Sequence, residues 1–377
     1  LISQDELAAW LRLLETPYVG RLSARRLLAA FGSPQTIFDA PLSAWQHLVE
    51  TRAANALRVL PEGHAERVDA TWAWLHADVR HHLLVLGDAN YPVALLDLPD
   101  PPLLLYVIGR VDLLNQPALA VVGSRNPSPQ GREDARAFAK AFSQAGLTVI
   151  SGLALGIDGA AHEGALEGPG ATIAVVATGL DRVYPRSHHD LAHRIASEGA
   201  LISEFSLGTP PTAIHFPMRN RLIAGLSLGT VVVEAALQSG SLITARLATE
   251  AGRDVFAMPG SIHNPQSRGC HALIKQGAKL VESTQDVLDE LNFLAIKRTA
   301  PDTALSVEST PLAAAAATAL SDDPLWVALG HDPVTLDVLQ IRTGWDAARL
   351  STHLFELEMG AQVTRLPGGL FQRLARA

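Results

Sequence analysis

Cysteine is nearly absent. Cys270 is the single one in 377 residues. That excludes a disulfide framework and a thiolate metal cluster within one chain, and it fits a reducing cytoplasm. Long apolar runs are missing too. No stretch approaches eighteen uncharged apolar residues, so no membrane span is expected. The opening "LISQDELAAWLRLLE" carries acids in a helical pattern and lacks the basic start, apolar centre and cleavage site of a secretory leader. The chain reads as soluble and cytoplasmic. Charge is scarce, at 18% of residues, and there is no positive excess: the net charge is −8. This excludes indiscriminate coating of nucleic acid but leaves room for a local basic cleft, because binding follows charge distribution. Three catalytic signatures are also missing: the three-glycine dinucleotide fingerprint, the Walker loop, and a nucleophile beside a placed base.

What is present is apolar bulk, 48% of the residues, enough for a large core and two or three domains. Residues 1–75 read as helices; "LSARRLLAAF" carries Arg21, Arg25 and Arg26 toward either a phosphate backbone or solvent. Residues 76–115 read as a bridge with two strand-length apolar runs, "HHLLVLG" and "PPLLLYVIG". From 116 to 292, apolar strands alternate with amphipathic helices. That order predicts an α/β fold with a Rossmann-like, mainly parallel sheet covered on both faces. Ligands in such sheets sit beyond the C-terminal strand ends. The 76–115 bridge is taken with this core as one 76–292 domain. Residues 293–323, with "LAAAAATAL", read as a low-complexity linker. Residues 324–377 read as helix, helix, helix and two short strands about a Pro-Gly-Gly turn, the outline of a winged helix.

Anion-friendly loops recur at the predicted strand ends. "VVGSRNPSPQG" offers Ser124 and Arg125 after the first core strand. "SGLALGIDGAAH" offers Gly152 and Gly156, whose backbone N–H groups could face an anion. In the same segment Asp158 and His162 stand four apart without a third metal ligand, which favours helix capping for the first and a packed, hydrogen-bonded role for the second. "ATGLDRVYP" adds Arg182 to a basic rim and Tyr184 as a ring for stacking or packing. "FPMRNRLIAGLS", at 216–227, sets Arg219 and Arg221 about Asn220 at what reads as a helix entrance. Two planar guanidinium forks there suit phosphate, and Asn220 suits a cap or a ligand. The alternative is an arginine paired with Glu204 or Glu234. Ser239, Gly240, Ser241 and Thr244 start a further helix, and Arg268 and Lys275 flank a glycine-rich loop. Cys270, beside His271, lacks the placed base a nucleophile needs. Many grips and no catalyst suit a long polyanion better than a mononucleotide.

These blocks, with "EAALQSGSLITARLA" and "FAMPG", resemble the DprA/Smf family, the DNA-processing proteins of bacterial natural transformation. The resemblance covers roughly 90–292. It implies a non-enzymatic protein without cofactor or metal. Such a protein binds and protects incoming single-stranded DNA, loads the RecA recombinase onto it, and forms a homodimer through the Rossmann-like domain. It also implies a SAM-like helical N-terminal domain and a C-terminal winged-helix domain. Carried over by motif, the DNA-binding candidates are Ser124, Arg125, Gly152, Arg219, Asn220, Arg221, Ser239, Gly240, Ser241 and Lys275, with Arg182 and Arg268 as rim. A looser resemblance is to nucleotide-phosphoribosyl hydrolases, but Glu234 precedes its loop and Glu250 ends its helix, so the catalytic glutamate of that group has no counterpart. A duplex-binding regulator acting through the tail is the third reading. It is weakened by charge, since 321–377 hold five arginines against seven acids.

Overall fold

The computed structural model describes residues 2–291, 323–330, 333–360 and 362–374. Six helices come first: α1 (Gln4–Glu15), α2 (Arg21–Phe31), α3 (Pro34–Asp39), α4 (Leu42–Gln46), α5 (Thr51–Ala56) and α6 (His64–Ala77). Their caps are written locally. In α1 the Ser3 side chain accepts the Glu6 N–H, acids fill the first turn, and Leu7, Trp10 and Leu11 bury one stripe. These helices are joined to the sheet through a shared apolar cluster, in which Leu7, Trp10, Leu27 and Trp45 meet Leu83, Tyr106 and Leu201.

The main sheet takes β1 (His81–Val85), β2 (Leu104–Gly109), β3 (Ala118–Val122), β4 (Thr148–Ser151), β5 (Thr172–Val175), β6 (Ala200–Ser203), β7 (Gly229–Val232), β8 (Asp254–Ala257) and β9 (Lys279–Leu280). Interleaved with them are α7 (Pro129–Gln144), α8 (Ile157–Ala165), α9 (His189–Glu198), α10 (His215–Leu226), α11 (Gly240–Glu250), α12 (Arg268–Lys275) and α13 (Thr284–Glu290). Strand order is β1-β2-β6-β5-β4-β3-β7-β8-β9. Every pairing from β6 to β9 is parallel. The 76–115 segment is more than a bridge: its two strands extend the same sheet, antiparallel to each other and to β6.

Both faces are covered, as the unbroken apolar strands require. Ala120, Val122, Ile150 and Val175 pack on the side of α10 and α11, and Leu119, Val121 and Val149 on the side of α7 and α8. β3 is followed leftward by β4, β5 and β6; the chain then crosses back to lay β7 on the other side of β3. The strand order therefore reverses between β3 and β7, where an open α/β sheet leaves a crevice.

The tail adds α14 (Pro324–Leu329), β10 (Val334–Thr335), α15 (Leu336–Thr343), α16 (Ala347–Met359), β11 (Val363–Leu366) and β12 (Leu370–Arg373). Its three-stranded antiparallel sheet runs β10-β12-β11, and Leu329, Leu339, Leu350 and Leu354 form its core. This is a winged helix. The 293–323 linker, Asp323 excepted, lies outside the described residues.

Candidate nucleic-acid interface

A cleft of about 470 Å³ opens at the β3–β7 reversal. Three separate chain segments line it: Gly123–Asn126 after β3, Phe216–Asn220 of α10, and Ala236 with Gln238–Ser241 leading into α11. Ala154 and Asp158 close its floor on the β4 side.

The β3 loop is held from below. Ser124 donates its N–H to the Glu234 carbonyl at 2.7 Å, and its hydroxyl accepts the Asn126 N–H at 3.1 Å. Gly156, at φ +81°, lies so close to the Ser124 and Arg125 carbonyls that a Cβ would collide with both. Arg125 is thereby left exposed at the rim, its guanidinium 5.2 Å from the centre of the Phe216 ring. Tyr184 stands 5.9 Å from the same ring.

The α11 side is a helix N-terminus. Ser239 caps it by accepting the Ser241 N–H at 3.3 Å, and the two hydroxyls are 2.7 Å apart. Gly240 is exposed, with open space above its Cα. Asn220 bridges to this turn by donating from Nδ2 to the Gly240 carbonyl at 3.5 Å. An anion here would meet two hydroxyls and the positive end of the helix dipole.

The arginines of "FPMRNR" are not at a helix entrance. α10 begins at His215, so Arg219, Asn220 and Arg221 fall in its second turn, and all three are buried. Asn220 consequently caps nothing. Arg219, 4% exposed, donates through Nη1 to the carbonyls of Gly152 and Val175. Burial brings its guanidinium down to about 10, against the pull of Asp158, so it stays charged at neutral pH. Arg221 points the other way, since residues two apart on a helix lie about 200° around it. It pairs with Glu204 and with Asp100.

Gly152 also departs from its expected role. Its N–H is not offered to a ligand: it donates to Asp158 Oδ2 at 3.1 Å, as Ala154 does at 3.3 Å. Asp158 thus organises the loop ahead of α8. His162 is packed and hydrogen-bonded: Nε2 accepts the Leu153 N–H at 3.3 Å and Nδ1–H donates to Thr172 Oγ1 at 2.8 Å. Among the described residues no group of three or more His, Cys, Asp or Glu is placed to hold a metal ion.

The remaining candidates lie outside the cleft lining. Arg268 starts α12 and Lys275 ends it, both exposed. Arg182 is exposed and 3.6 Å from Asp181. Arg21 and Arg25 are half-buried and bond to Asp100, Glu204 and the Pro99 carbonyl, while Arg26 is exposed to solvent. Cys270 is buried, and burial pushes its thiol up to about 12, which removes it as a nucleophile. Glu234 is fully engaged at the start of α7, accepting the Ser128 N–H at 2.8 Å and the Ser128 hydroxyl at 2.6 Å. Phe216 was not singled out by the sequence. Its only signal is a ring directly before a basic, amide-bearing helical turn.

In the winged helix three of the described arginines contact their own domain, while Arg365 is exposed. Arg349 stacks on Trp345 at 3.9 Å, Arg373 on Trp326 at 3.9 Å, and Arg342 donates to the Ala328 carbonyl. Phe355 and Met359 of α16 are exposed instead.

Known proteins share this architecture. The family model for DNA recombination-mediator protein A matches residues 82–292, and that for the DprA winged helix domain matches 308–369. Protein Smf of Escherichia coli is 43% identical over 313 residues, which is 82% of this chain and 82% of that protein. DNA processing protein DprA of Streptococcus pneumoniae is 50% identical over 206 residues, 55% of this chain and 73% of that protein. The X-ray structure of DprA from Streptococcus pneumoniae superposes with a TM-score of 0.66 at 38% identity, covering 77% of this chain and 98% of that one. DNA processing protein A of Helicobacter pylori, whose structure describes a single-stranded DNA binding mode, superposes with a TM-score of 0.51 at 32% identity, covering 57% of this chain and 97% of that one. The chain belongs to the DNA recombination-mediator protein A family, that of the DprA and Smf DNA-processing proteins.

Proposed function

We propose that this protein binds single-stranded DNA across the β3–β7 cleft, protects it, and delivers it to the RecA recombinase, without catalysing a reaction. One observation carries the reading: three segments distant in sequence, two loops and a turn of α10, bring Ser124–Arg125, Asn220 and Ser239–Gly240–Ser241 to one crevice that also holds the half-buried Phe216 ring. Arg125 and the hydroxyl-bearing N-terminus of α11 take phosphates. Phe216 takes the face of a base, which suits a strand whose bases are unpaired. Arg219 holds the floor from beneath, and Arg182, Arg268 and Lys275 are outlying cations along the strand's course. The described single-strand binding of the Helicobacter pylori relative supports the same substrate.

Two further parts belong to the reading, the first from the family and the second from the charge of the tail. The protein forms a homodimer through its Rossmann-like domain; a groove between α11 and α12, lined by Leu242, Ile243 and Leu273 beside exposed Leu237, offers apolar surface for it. The winged helix makes a protein contact or a weak auxiliary DNA contact rather than reading duplex, because Arg349 and Arg373 stack on its own tryptophans while Phe355 and Met359 face out.

The test is fluorescence anisotropy with labelled oligo-dT and a matched duplex across a salt series. Tight single-strand binding that weakens steeply with salt is expected. Absence of binding at low salt overturns the proposal and turns attention to nucleoside monophosphates at the same cleft.

A further inference from the structure

We propose that the N-terminal helices set the geometry of the DNA cleft through a four-residue ion network centred on Glu204. This rests on the cleft reading above and adds a positioning role for a region outside the cleft. Arg21, the first residue of α2, reaches Asp100 at 3.0 Å through Nε and Glu204 at 2.9 Å through Nη1. From the opposite side, Arg221 of α10 pairs with the same Glu204 oxygen, approaches Asp100 Oδ2 at 3.5 Å, and donates to the Asp100 carbonyl at 3.0 Å. Two arginines and two carboxylates therefore close a neutral ring spanning the helical module, the connector before β2, the end of β6 and α10. Arg25 adds a bond from α2 to the Pro99 carbonyl at 2.7 Å.

The ring is built to be intolerant of loss. The side chains of Glu204 and Arg221 are 6% and 9% exposed. Burial raises the Glu204 carboxyl, and Arg221 and Arg21 are what oppose it. Without Arg21, one buried guanidinium faces two acids and the site carries uncompensated negative charge. The strain falls on α10, because Arg221 is anchored there. On that helix Arg219 and Asn220, the residues that floor the cleft and bridge to Gly240, immediately precede Arg221. A shift of α10 at Arg221 is a shift of the cleft wall. The contact that sets the wall thus originates about two hundred residues upstream, in a module that does not line the cleft.

Three variants of the full chain test this: Arg21→Ala, Arg21→Lys and Arg67→Ala. Lysine keeps the charge but lacks the fork that spans both acids. Arg67 pairs with Glu15 inside the helical module, outside the network. Two measurements are made on each: amide hydrogen exchange across 215–226 without DNA, and oligo-dT affinity against salt. Arg21→Ala is expected to speed exchange in 215–226 and to weaken oligo-dT binding on the order of tenfold. The salt slope is expected to stay unchanged, since no phosphate contact is lost. Arg21→Lys falls between, and Arg67→Ala changes neither readout. The proposal is overturned by unchanged exchange in Arg21→Ala, by faster exchange with unchanged affinity, or by equal effects of Arg67→Ala. A salt slope reduced by about one also overturns it, because Arg21 would then be a phosphate ligand. If the parent protein binds no oligo-dT, the function proposed above fails, while the exchange comparison still decides the network.

Discussion

The guanidinium of Arg219 occupies the space that a side chain on residue 152 would need. Glycine stands at 152 because an arginine lies against its Cα, its Nη1 bonded to the Gly152 carbonyl. Gly152→Ala is therefore expected to displace Arg219 and strip Asp158 of its buried counter-charge. The cost should be about 3–5 kcal/mol, the scale for breaking a buried charge pair. Chemical denaturation measures it. A double-mutant cycle makes the cause specific: Arg219→Ala should cost less in the Gly152→Ala background than in the parent. Full additivity would separate the two residues.

Arg125 and Arg219 are both cleft arginines, and they should fail differently. Arg125 is exposed and pairs with no acid among the described residues, so Arg125→Ala should leave stability within about 0.5 kcal/mol of the parent. Its loss should appear in oligo-dT affinity and in a salt slope smaller by about one. Arg219→Ala should lose stability first. A stable Arg219→Ala protein with a reduced salt slope would assign Arg219 to the phosphate path instead.

The strand and helix alternation of the core was readable because a buried parallel sheet leaves unbroken apolar runs between amphipathic ones. The cleft loops were readable for a related reason: Ser124–Arg125 and Ser239–Ser241 each follow such a run. The arginines of "FPMRNR" were not. A helix beginning one residue before Phe216 rather than after it turns an entrance into a second turn and sends Arg219 and Arg221 to opposite sides. Local sequence carries no cap signal there; Ile214 precedes the helix with no side-chain cap. The partners that bury them, Gly152, Val175, Glu204 and Asp100, are set by sheet order, which apolar periodicity does not encode. Arg221 with Glu204 was one of the pairings the sequence left open.

His162 should make the core acid-sensitive. Burial holds its imidazole down to about 3, with His188 and Arg219 pushing the same way, against about 6.5 in an unfolded chain. A base with a depressed folded pKa is neutral in the native state, so protons bind the unfolded chain preferentially. Its contribution is full above about 6.5 and is lost as pH falls toward 3. His162→Gln should lower stability at neutral pH but remove part of the decline between pH 6 and 4. Melting temperature against pH for parent and variant reads this directly; parallel curves would refute it.

Asp134 should act in the opposite sense. Burial raises its carboxyl to about 6, with Glu234 and Glu133 adding to the rise and Gln130 opposing it. A raised acid is protonated preferentially in the native state, so its contribution is present below about 3.8 and is lost as pH rises through about 6. At neutral pH the folded protein holds a carboxylate that the site disfavours. Asp134→Asn keeps an oxygen for the Gln130 amide, which bonds Asp134 Oδ1 at 2.7 Å, and removes the charge. It should raise stability at pH 7.5 by on the order of 1 kcal/mol, discounted for partial exposure, and have no effect at pH 4. Because His162 and Asp134 titrate in opposite directions over overlapping ranges, the parent curve alone hides both. The difference between parent and each variant is the informative quantity. An Asp134→Asn gain that persists unchanged at pH 4 would mean that packing, not charge, is its source.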